Sequence, residues 1–557
     1  MYLDERAAVG IHVDILDRQR RACARNVGGM RRSRGLATAL GAVALSLLGL
    51  SASASPVVRL GKYTQYDAGE YIIVSSRGSA QARRIIEDLA MFRATLERML
   101  GRRATRNTTP TAIIVTSAAD WEKWFKPRQG VAGYFRASSF SNHMALDGDA
   151  SLDETLTVVF HEFTHYFLAT RFAGEYPPWF HEGLAELMGY TRFDKGKAIL
   201  RIPLDRLRDA RASDWIPFDR LIRVDQSDPE YQSHKLMPAF YAQSWLTVHY
   251  GMVENPEFGR QMFQYLQELN LLVPQAEAAR KAFGEDLSII DRKLRDYSRS
   301  ARMSSGAISF GEIPPVEIAA GQPLDDVSTW ATVANLLLDA YQDAARVRPL
   351  IDALVESDPN KARPAIFEAR LAQRADDNSA FDAAVTRAES GLGANDWQQR
   401  RDLGMVLILN CVAADRMPSR DGESRISDAA RAMKWFAEAV TQNKQDVQAL
   451  WGFGAAAVYL DKNLDLAEQT LTTAYQRAPT NAEIAVSLAN LKGRQQDADG
   501  MLPYLKDAAR YANDLRTKRW ATETLIETEK YIEERNAVDA ENQRRHEEFE
   551  KQKAKKK

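Results

Sequence analysis

Two histidines and a glutamate occur at a spacing that suits metal chemistry. Residues 161–165 read HEFTH. Residues four positions apart lie on the same face of an α-helix, so the imidazoles of His161 and His165 can both reach one ion. Glu162 is rotated about 100° round the helix from His161, which removes it from direct coordination but leaves it able to reach a water molecule at the metal. The pattern therefore predicts a hydrolytic metal site in which Glu162 is the general base.

A second motif downstream offers a third ligand. Residues 177–186 read PPWFHEGLAE. Prolines favour the first turn of a helix, so Glu182 and Glu186 should share one face of a short helix beside the first. Catalytic zinc usually takes three protein ligands and keeps one position for water, and two His with one Glu is a known set. We expect Zn²⁺ on His161, His165 and Glu182, with Glu186 accepting the free N–H of a ligating imidazole.

The elements that must position these residues are strands and helices in alternation. Apolar runs with strand or helix spacing predict an α/β start to a domain that spans residues 55–302. Its expected elements are strands at Tyr71–Val74, Thr111–Thr116, Gly133–Phe135 and His143–Leu146, an amphipathic helix at Ala80–Leu100, and a buried helix at Leu152–Thr170. The last of these carries the HEFTH motif.

HEFTH followed by WFHEGLAE resembles the gluzincin metallopeptidases, whose aminopeptidase N branch has HExxH and then a WLNEGFA-like stretch. The resemblance covers roughly residues 71–250. It implies a thermolysin-like α+β fold with a small sheet over the HExxH helix, zinc as cofactor, and hydrolysis of peptides or proteins. It also implies that Glu182 and not Glu186 is the ligand. The GxMEN-type segment that binds a free amino terminus is absent, which favours an endopeptidase over an aminopeptidase.

Gluzincins also have a Tyr or His that stabilises the oxyanion, downstream of the third ligand. Tyr241 lies in that range and is the candidate, although an aromatic residue in a helix core explains it equally well. Weaker alternatives are Tyr231, His234 and His249. His181 adjoins Glu182 but should point about 100° away, so it is interpreted as structural. His143 is a candidate for lining the strand that binds substrate.

The second half of the chain has a different pattern. Residues 304–323 combine Ser, Gly and Pro without periodicity, which predicts a linker over 303–326. Residues 448–481 fit the tetratricopeptide pattern of large and small residues with a closing proline, and looser copies predict helical repeats over 327–527. A plain helical bundle is the alternative. Residues 528–557 are mostly charged and predict a solvated helical tail.

The first 54 residues resemble an export signal. Residues 30–54 have a basic start, an apolar run at Leu36–Leu50 and the small-residue ending Ala-Ser-Ala, which predicts cleavage after Ala54 and a periplasmic or secreted protein. Met30 is then the expected start, and an uncleaved membrane anchor is the alternative. Of the two cysteines only Cys411 would remain, so no intramolecular disulfide is expected.

The composition excludes one class of function, and two interpretations of function remain. With 45% hydrophobic residues and a net charge of -1, the chain lacks the basic excess of a nucleic-acid binder. The first reading is a zinc peptidase whose repeats bind substrate or a protein partner. The rival is an exported repeat scaffold whose zinc site is structural or inactive. An intact Glu162 favours the peptidase, because a structural site needs no base.

Overall fold

The computed structural model describes residues 58–101, 111–126, 131–172, 176–212, 214–300, 302–309, 311, 317–340, 344–357, 361–413, 417–512 and 515–555. The signal region expected at residues 1–54 lies outside them. Within these ranges, no helix combines the length and apolar character needed to cross a membrane. Cys411 is buried and unpaired.

The strands form two sheets. The larger sheet has the order β4-β5-β3-β2-β1-β9, and the smaller has the order β6-β7-β8. In the larger sheet β3 pairs in parallel with β2 on one side and with β5 on the other. Strand β1 pairs antiparallel with β2, and β4 pairs antiparallel with β5. The strands are β1 Thr64–Asp67, β2 Ile72–Ser75, β3 Thr111–Thr116, β4 Gly133–Ala137, β5 Asn142–Asp147, β6 Thr191–Asp194, β7 Lys197–Leu200, β8 Gly306–Ser309 and β9 Gln322–Pro323.

Ten labelled helices accompany the strands in the described part of the first half. They are α1 Ser79–Leu100, α2 Leu152–Arg171, α3 Pro178–Gly189, α4 Leu204–Ala212, α5 Phe218–Leu221, α6 Pro229–Gln232, α7 Met237–His249, α8 Pro256–Asn270, α9 Gln275–Phe283 and α10 Ser288–Arg299. A short helical turn at Ala118–Asp120 continues as a π-helix at Trp121–Phe125, and a second π-helix follows α7 at Tyr250–Glu254.

The second half of the described chain consists mainly of helices. They are α11 Asp326–Asp339, α12 Ala344–Ser357, α13 Ala362–Arg374, α14 Asn378–Ser390, α15 Trp397–Val412, α16 Gly422–Gln442, α17 Val447–Leu460, α18 Leu464–Arg477, α19 Ala482–Arg494, α20 Ala498–Tyr511 and α21 Leu515–Lys555. Each pair from α11/α12 to α19/α20 packs together, and the first helices of successive pairs lie side by side. The expectation of all-helical repeats is confirmed. We call the surface made by α11, α13, α15, α17 and α19 the inner face.

The larger sheet is buried on both sides. Side chains alternate between the two faces of a strand, so neighbours in sequence join different cores. Ile73 and Ile113 belong to the core that contains α1 and α2, whereas Val74 and Ile114 belong to the core that contains α11 and α12. The first repeat helices therefore cover the face of the sheet opposite the HEFTH helix. This three-layer packing joins the two expected domains into one body.

The segment expected to be a linker differs from that prediction. It contributes β8, which pairs with β7, and β9, which pairs with β1 at the end of the larger sheet. Strands this short lack the run of alternating residues that a periodicity argument needs. The tail, by contrast, follows the expectation of a solvated helix, because α21 is continuous and the described side chains from residue 536 to 554 are almost all exposed.

Candidate metal centre

The helix α2 presents the two motif histidines on a well-anchored scaffold. Its first turn is closed by a capping box in which Ser151 and Glu154 satisfy each other's backbone N–H groups. Phe160 and Phe163 are buried against α1, where Phe160 stacks on Phe92 with 4.2 Å between the ring centroids. These apolar contacts fix the rotation of the helix and leave the histidine side facing α3.

The helix α3 begins and packs as its prolines and glycines require. Pro177 is the N-cap and Pro178 occupies the first turn, where a missing N–H costs nothing. A methyl group at Gly183 would lie 2.4 Å from the backbone oxygen of Ser244 on α7. The glycine therefore allows α3 and α7 to approach closely, with α2 on the other side of α3. The carboxylate of Glu182 is held between these helices.

Three potential ligand atoms converge at the site. His161 Nε2 and His165 Nε2 are 3.1 Å apart, and Glu182 Oε2 lies 3.5 Å from each of them. A tetrahedral zinc ion with bonds of about 2.05 Å separates its ligand atoms by about 3.3 Å. The three distances are therefore those of one face of a zinc tetrahedron. Of the residues that the structure describes, this is the only such group of three or more His, Cys, Asp or Glu side chains.

The hydrogen bonding at Glu182 also fits a cation. Its Oε1 accepts a hydrogen bond from the Tyr231 hydroxyl at 2.8 Å, whereas its buried Oε2 has no hydrogen-bond partner among the described residues. A buried carboxylate oxygen without a partner is costly, and a metal ion removes that cost. The oxygen that faces the two imidazoles is therefore the one that a cation would bind.

The electrostatics of the site favour positive charge. Burial lowers the pKa of His161, but the neighbouring carboxylates of Glu182, Glu162 and Glu186 outweigh it and raise that pKa to about 9. Burial raises the pKa of Glu182, but His165 and His161 hold it well below its usual range. Three carboxylates around two imidazoles thus attract either protons or a divalent cation.

The expectation that His181 points away from the site is wrong. His181 Nδ1 is 2.6 Å from His165 Nδ1, and the two rings stack with centroids 4.6 Å apart. Burial and then the charge of His165 lower the pKa of His181 to about 3. A neutral His181 can accept the Nδ1–H of His165 and so direct its Nε2 towards the metal position. The prediction from the 100° rotation per residue failed because both His181 and Glu182 lie on the side of α3 that faces α2.

Glu186 lies near His161 and forms an ion pair with Arg206, a residue that belongs to no sequence motif. Its Oε1 is 3.8 Å from His161 Nδ1, which is beyond hydrogen-bond distance. Arg206 on α4 holds both carboxylate oxygens, at 2.8 and 2.7 Å. The bidentate ion pair fixes Glu186 one turn after Glu182, facing the imidazole.

The tyrosine candidates border the site together. Tyr231 reaches Glu182 directly, and its ring stacks on that of Tyr241 with 6.2 Å between centroids. Burial, the charge of Glu182 and the hydrogen bond with Tyr231 raise the pKa of Tyr241 well above its usual range. The Tyr241 hydroxyl therefore remains protonated and can donate a hydrogen bond. His234 is exposed, and His249 is buried with its Nδ1 2.7 Å from the Tyr297 hydroxyl, so neither joins the cluster.

The expectation for His143 is also wrong. This residue lies on β5 in the same alternation as Ala145, which faces the core with α11 and α12. Its Nδ1 is 3.2 Å from Asp339 Oδ2 on α11 and 3.3 Å from Ser141 Oγ. His143 thus faces the repeats, on the side of the sheet opposite α2.

Comparisons with known proteins show partial likeness to helical structures. No protein-family model matches the chain, and neither does any curated protein. YrrB, described as a TPR protein with an unusual peptide-binding site, is 18% identical over 36% of this chain and 92% of its own, with a TM-score of 0.27. PilW, described as a type IV pilus biogenesis factor, is 14% identical over 38% and 93%, with a TM-score of 0.28.

A third similar structure covers more of the chain. Yeast Tom70 is 15% identical over 55% of this chain and 62% of its own, with a TM-score of 0.29. TM-scores this low carry no argument about activity. The resemblance to gluzincins therefore stays a prediction that rests on the two motifs.

Proposed function

We propose that this chain is an exported zinc-dependent peptidase, of endopeptidase rather than aminopeptidase type. One observation carries the proposal: the three ligand atoms of His161, His165 and Glu182 are spaced as one face of a zinc tetrahedron. Export is proposed from the signal-like residues 30–54, with the periplasm or the exterior as destination.

The residues around the metal position have distinct roles in this proposal. A zinc ion held there would act as a Lewis acid towards a peptide carbonyl and would make water a stronger nucleophile. Glu162 lies next to the first ligand, accepts the proton of the attacking water and passes it to the leaving amine. The hydroxyl of Tyr241 donates a hydrogen bond to the oxyanion.

The large sheet offers a place for the substrate. Strand β4 is the last in the order of the sheet, and no described strand pairs with its outer side. Phe135 of β4 packs edge-on against Tyr166 of α2 at 5.8 Å between ring centroids. An extended peptide can add to such an edge through backbone hydrogen bonds. We propose that the peptide bond to be cleaved reaches the metal position along β4.

A comparison of two glutamate variants tests the metal and the base separately. Glu162→Gln keeps the shape and the ligands, so it should retain zinc while peptidase activity falls by about 10²-fold or more. Glu182→Ala removes a ligand and should lose zinc. Zinc is measured by elemental analysis and activity with a peptide library, and Glu87→Gln on the exposed side of α1 is the control. Wild-type protein that holds no zinc after reconstitution, or that cleaves no peptide, contradicts the proposal.

A repeat scaffold with a structural metal site is the second candidate. The stacked helix pairs of the second half favour it, because such arrays commonly bind proteins and peptides. The variants separate the candidates. In a scaffold, Glu182→Ala lowers the melting temperature by releasing a structural ion, whereas Glu162→Gln changes no measurable property. In a peptidase, Glu162→Gln abolishes turnover and leaves the melting temperature unchanged.

A further inference from the structure

The turn between β4 and β5 has a closed geometry of its own. Ser138 N donates to Ser141 O at 3.1 Å, and Ser138 Oγ accepts hydrogen bonds from the backbone N–H groups of Phe140 and Ser141 at 3.0 Å each. The backbone N–H groups of Ser138, Phe140 and Ser141 are thus satisfied within the turn. The side chain of Phe140 and the polar groups of residues 139 and 141 are left to contact other parts of the chain.

These groups contact the inner face of the repeats at three helices. Gln448 on α17 donates to Ser139 O at 2.9 Å. Arg370 on α13 places its guanidinium 4.0 Å from the centre of the Phe140 ring. Two residues of α11 complete the set, because Asn335 donates to Ser141 Oγ at 3.1 Å and Asp339 accepts a hydrogen bond from that hydroxyl.

The contact is buried and specific. Phe140 is 8% exposed and belongs to the apolar core of the repeats instead of that of its own sheet. Gln448, Arg370 and Asp339 are buried as well. Inner faces of helical repeats usually provide a concave binding surface. Here part of that surface holds an aromatic residue from the same chain, surrounded by polar partners.

The same hairpin packs against α2, the helix that carries the HEFTH motif. A methyl group at Gly133 of β4 would lie 2.4 Å from Val158 Cγ1 of α2, so this strand and the helix are in close contact. The turn is the only connection between β4 and β5, and β4 has no other described strand beside it. Whatever holds the turn therefore restrains the edge strand next to the HEFTH helix.

We propose that the inner face of the repeats is a docking site for the turn Ser138–Ser141 of the same chain, and that this docking holds β4 against α2 for substrate binding. The second half of the chain then acts in cis as a positioning element. Because a tethered segment competes at an effective concentration on the order of millimolar, the docked turn excludes free peptides of moderate affinity from this part of the face. The part of the proposal that concerns substrate rests on the proposed function.

The variant Phe140→Ala tests the docking in the full-length protein. Hydrogen exchange of residues 133–137 should become at least about 10-fold faster, while α2 keeps its protection, because the strand loses its outer restraint. The KM for peptide substrates should rise by about 10-fold with kcat and zinc content unchanged, since the ligands and the base are untouched. Gln448→Ala should act in the same direction with a smaller effect. Phe140→Leu keeps an apolar side chain but removes the ring, so its values should lie between those of Phe140→Ala and the wild type, and Phe549→Ala on the exposed tail should change nothing.

Peptide binding supplies a second measurement that needs no enzyme activity. A fluorescent peptide of residues 136–142, RASSFSN, should bind to the Phe140→Ala protein and not to the wild type, as measured by anisotropy. Adding Gln448→Ala to the Phe140→Ala protein should weaken that binding. Unchanged exchange in β4, or equal peptide binding by both proteins, overturns the docking proposal. A protein without peptidase activity that still passes the exchange and peptide tests would refute the proposed function alone.

Discussion

The ion pair between Asp339 of α11 and Arg370 of α13 should be the most stability-critical polar contact where the repeats meet the sheet. The side chains are 1% and 7% exposed, so water screens neither charge. Asp339 also accepts a hydrogen bond from Ser141, across the boundary between the two halves. Removing one charge of a buried pair leaves the other without compensation, which typically costs about 3–5 kcal/mol.

Asp339→Asn keeps the shape and removes the charge. Arg370 retains a hydrogen bond to Asn335 at 2.6 Å, so we expect the lower end of that range, a loss of about 3 kcal/mol in the free energy of unfolding. Urea denaturation followed by tryptophan fluorescence measures it. The matched control is Asp352→Asn, whose partner Arg348 is half exposed, and there the loss should stay below about 1 kcal/mol. If Asp339→Asn and Asp352→Asn lost the same free energy of unfolding, the claim that burial makes the Asp339–Arg370 pair critical would be refuted.

The pH dependence gives an independent check. Burial raises the pKa of Asp339, but Arg370 and His143 outweigh it and lower that pKa below the unfolded value of 3.8. A depressed pKa means that the stabilisation is present above about pH 3.8 and is lost as the pH falls through the folded value. The difference between wild type and Asp339→Asn should therefore shrink as the pH falls below about 3.8. A difference that grows in acid would contradict the assignment.

Three further predictions concern the packing of α3, the candidate metal site and the export signal. Gly183→Ala should destabilise the protein by roughly 1–3 kcal/mol in thermal or urea unfolding, because its methyl group meets the backbone of Ser244, and an unchanged stability would contradict the close packing. Glu186→Ala should weaken zinc binding by roughly 10-fold to 100-fold in a chelator competition, and complete loss of metal would make Glu186 a ligand instead. N-terminal sequencing of exported protein should begin at Ser55, whereas a chain that retains Leu36–Leu50 would support a membrane anchor.

Sequence reasoning was most informative where the spacing of residues has a direct geometric meaning. The four-residue interval in HEFTH and the prolines before Glu182 indicate two helices, and the structure brings those three side chains together. The strands near Ile73 and Ile113 are apolar runs of ordinary length, and both were expected. In such cases local propensity and burial point to the same element.

The contacts that sequence reasoning missed depend on tertiary packing. Arg206 has no motif, and it reaches Glu186 only because α4 follows a hairpin that returns to α3. His181 faces His165 because of the way in which α2 and α3 pack together. A helical wheel describes one helix and gives no information about this packing. Tyr231 was a weaker candidate than Tyr241, and nothing in its surroundings in the sequence indicates the hydrogen bond to Glu182.

The pairing of β1 with β9 has a consequence for the order in which the chain can fold. Gln65 lies opposite Gln322, and α11 and α12 then cover the face of the sheet that carries Val74. A growing polypeptide exposes its amino-terminal part first, and contacts so distant in sequence form last. The half that carries the HEFTH motif therefore stays incomplete, with one face of its sheet uncovered, until the first repeat helices have been synthesised. We expect the candidate site to reach its final geometry only after the chain has been synthesised through α12.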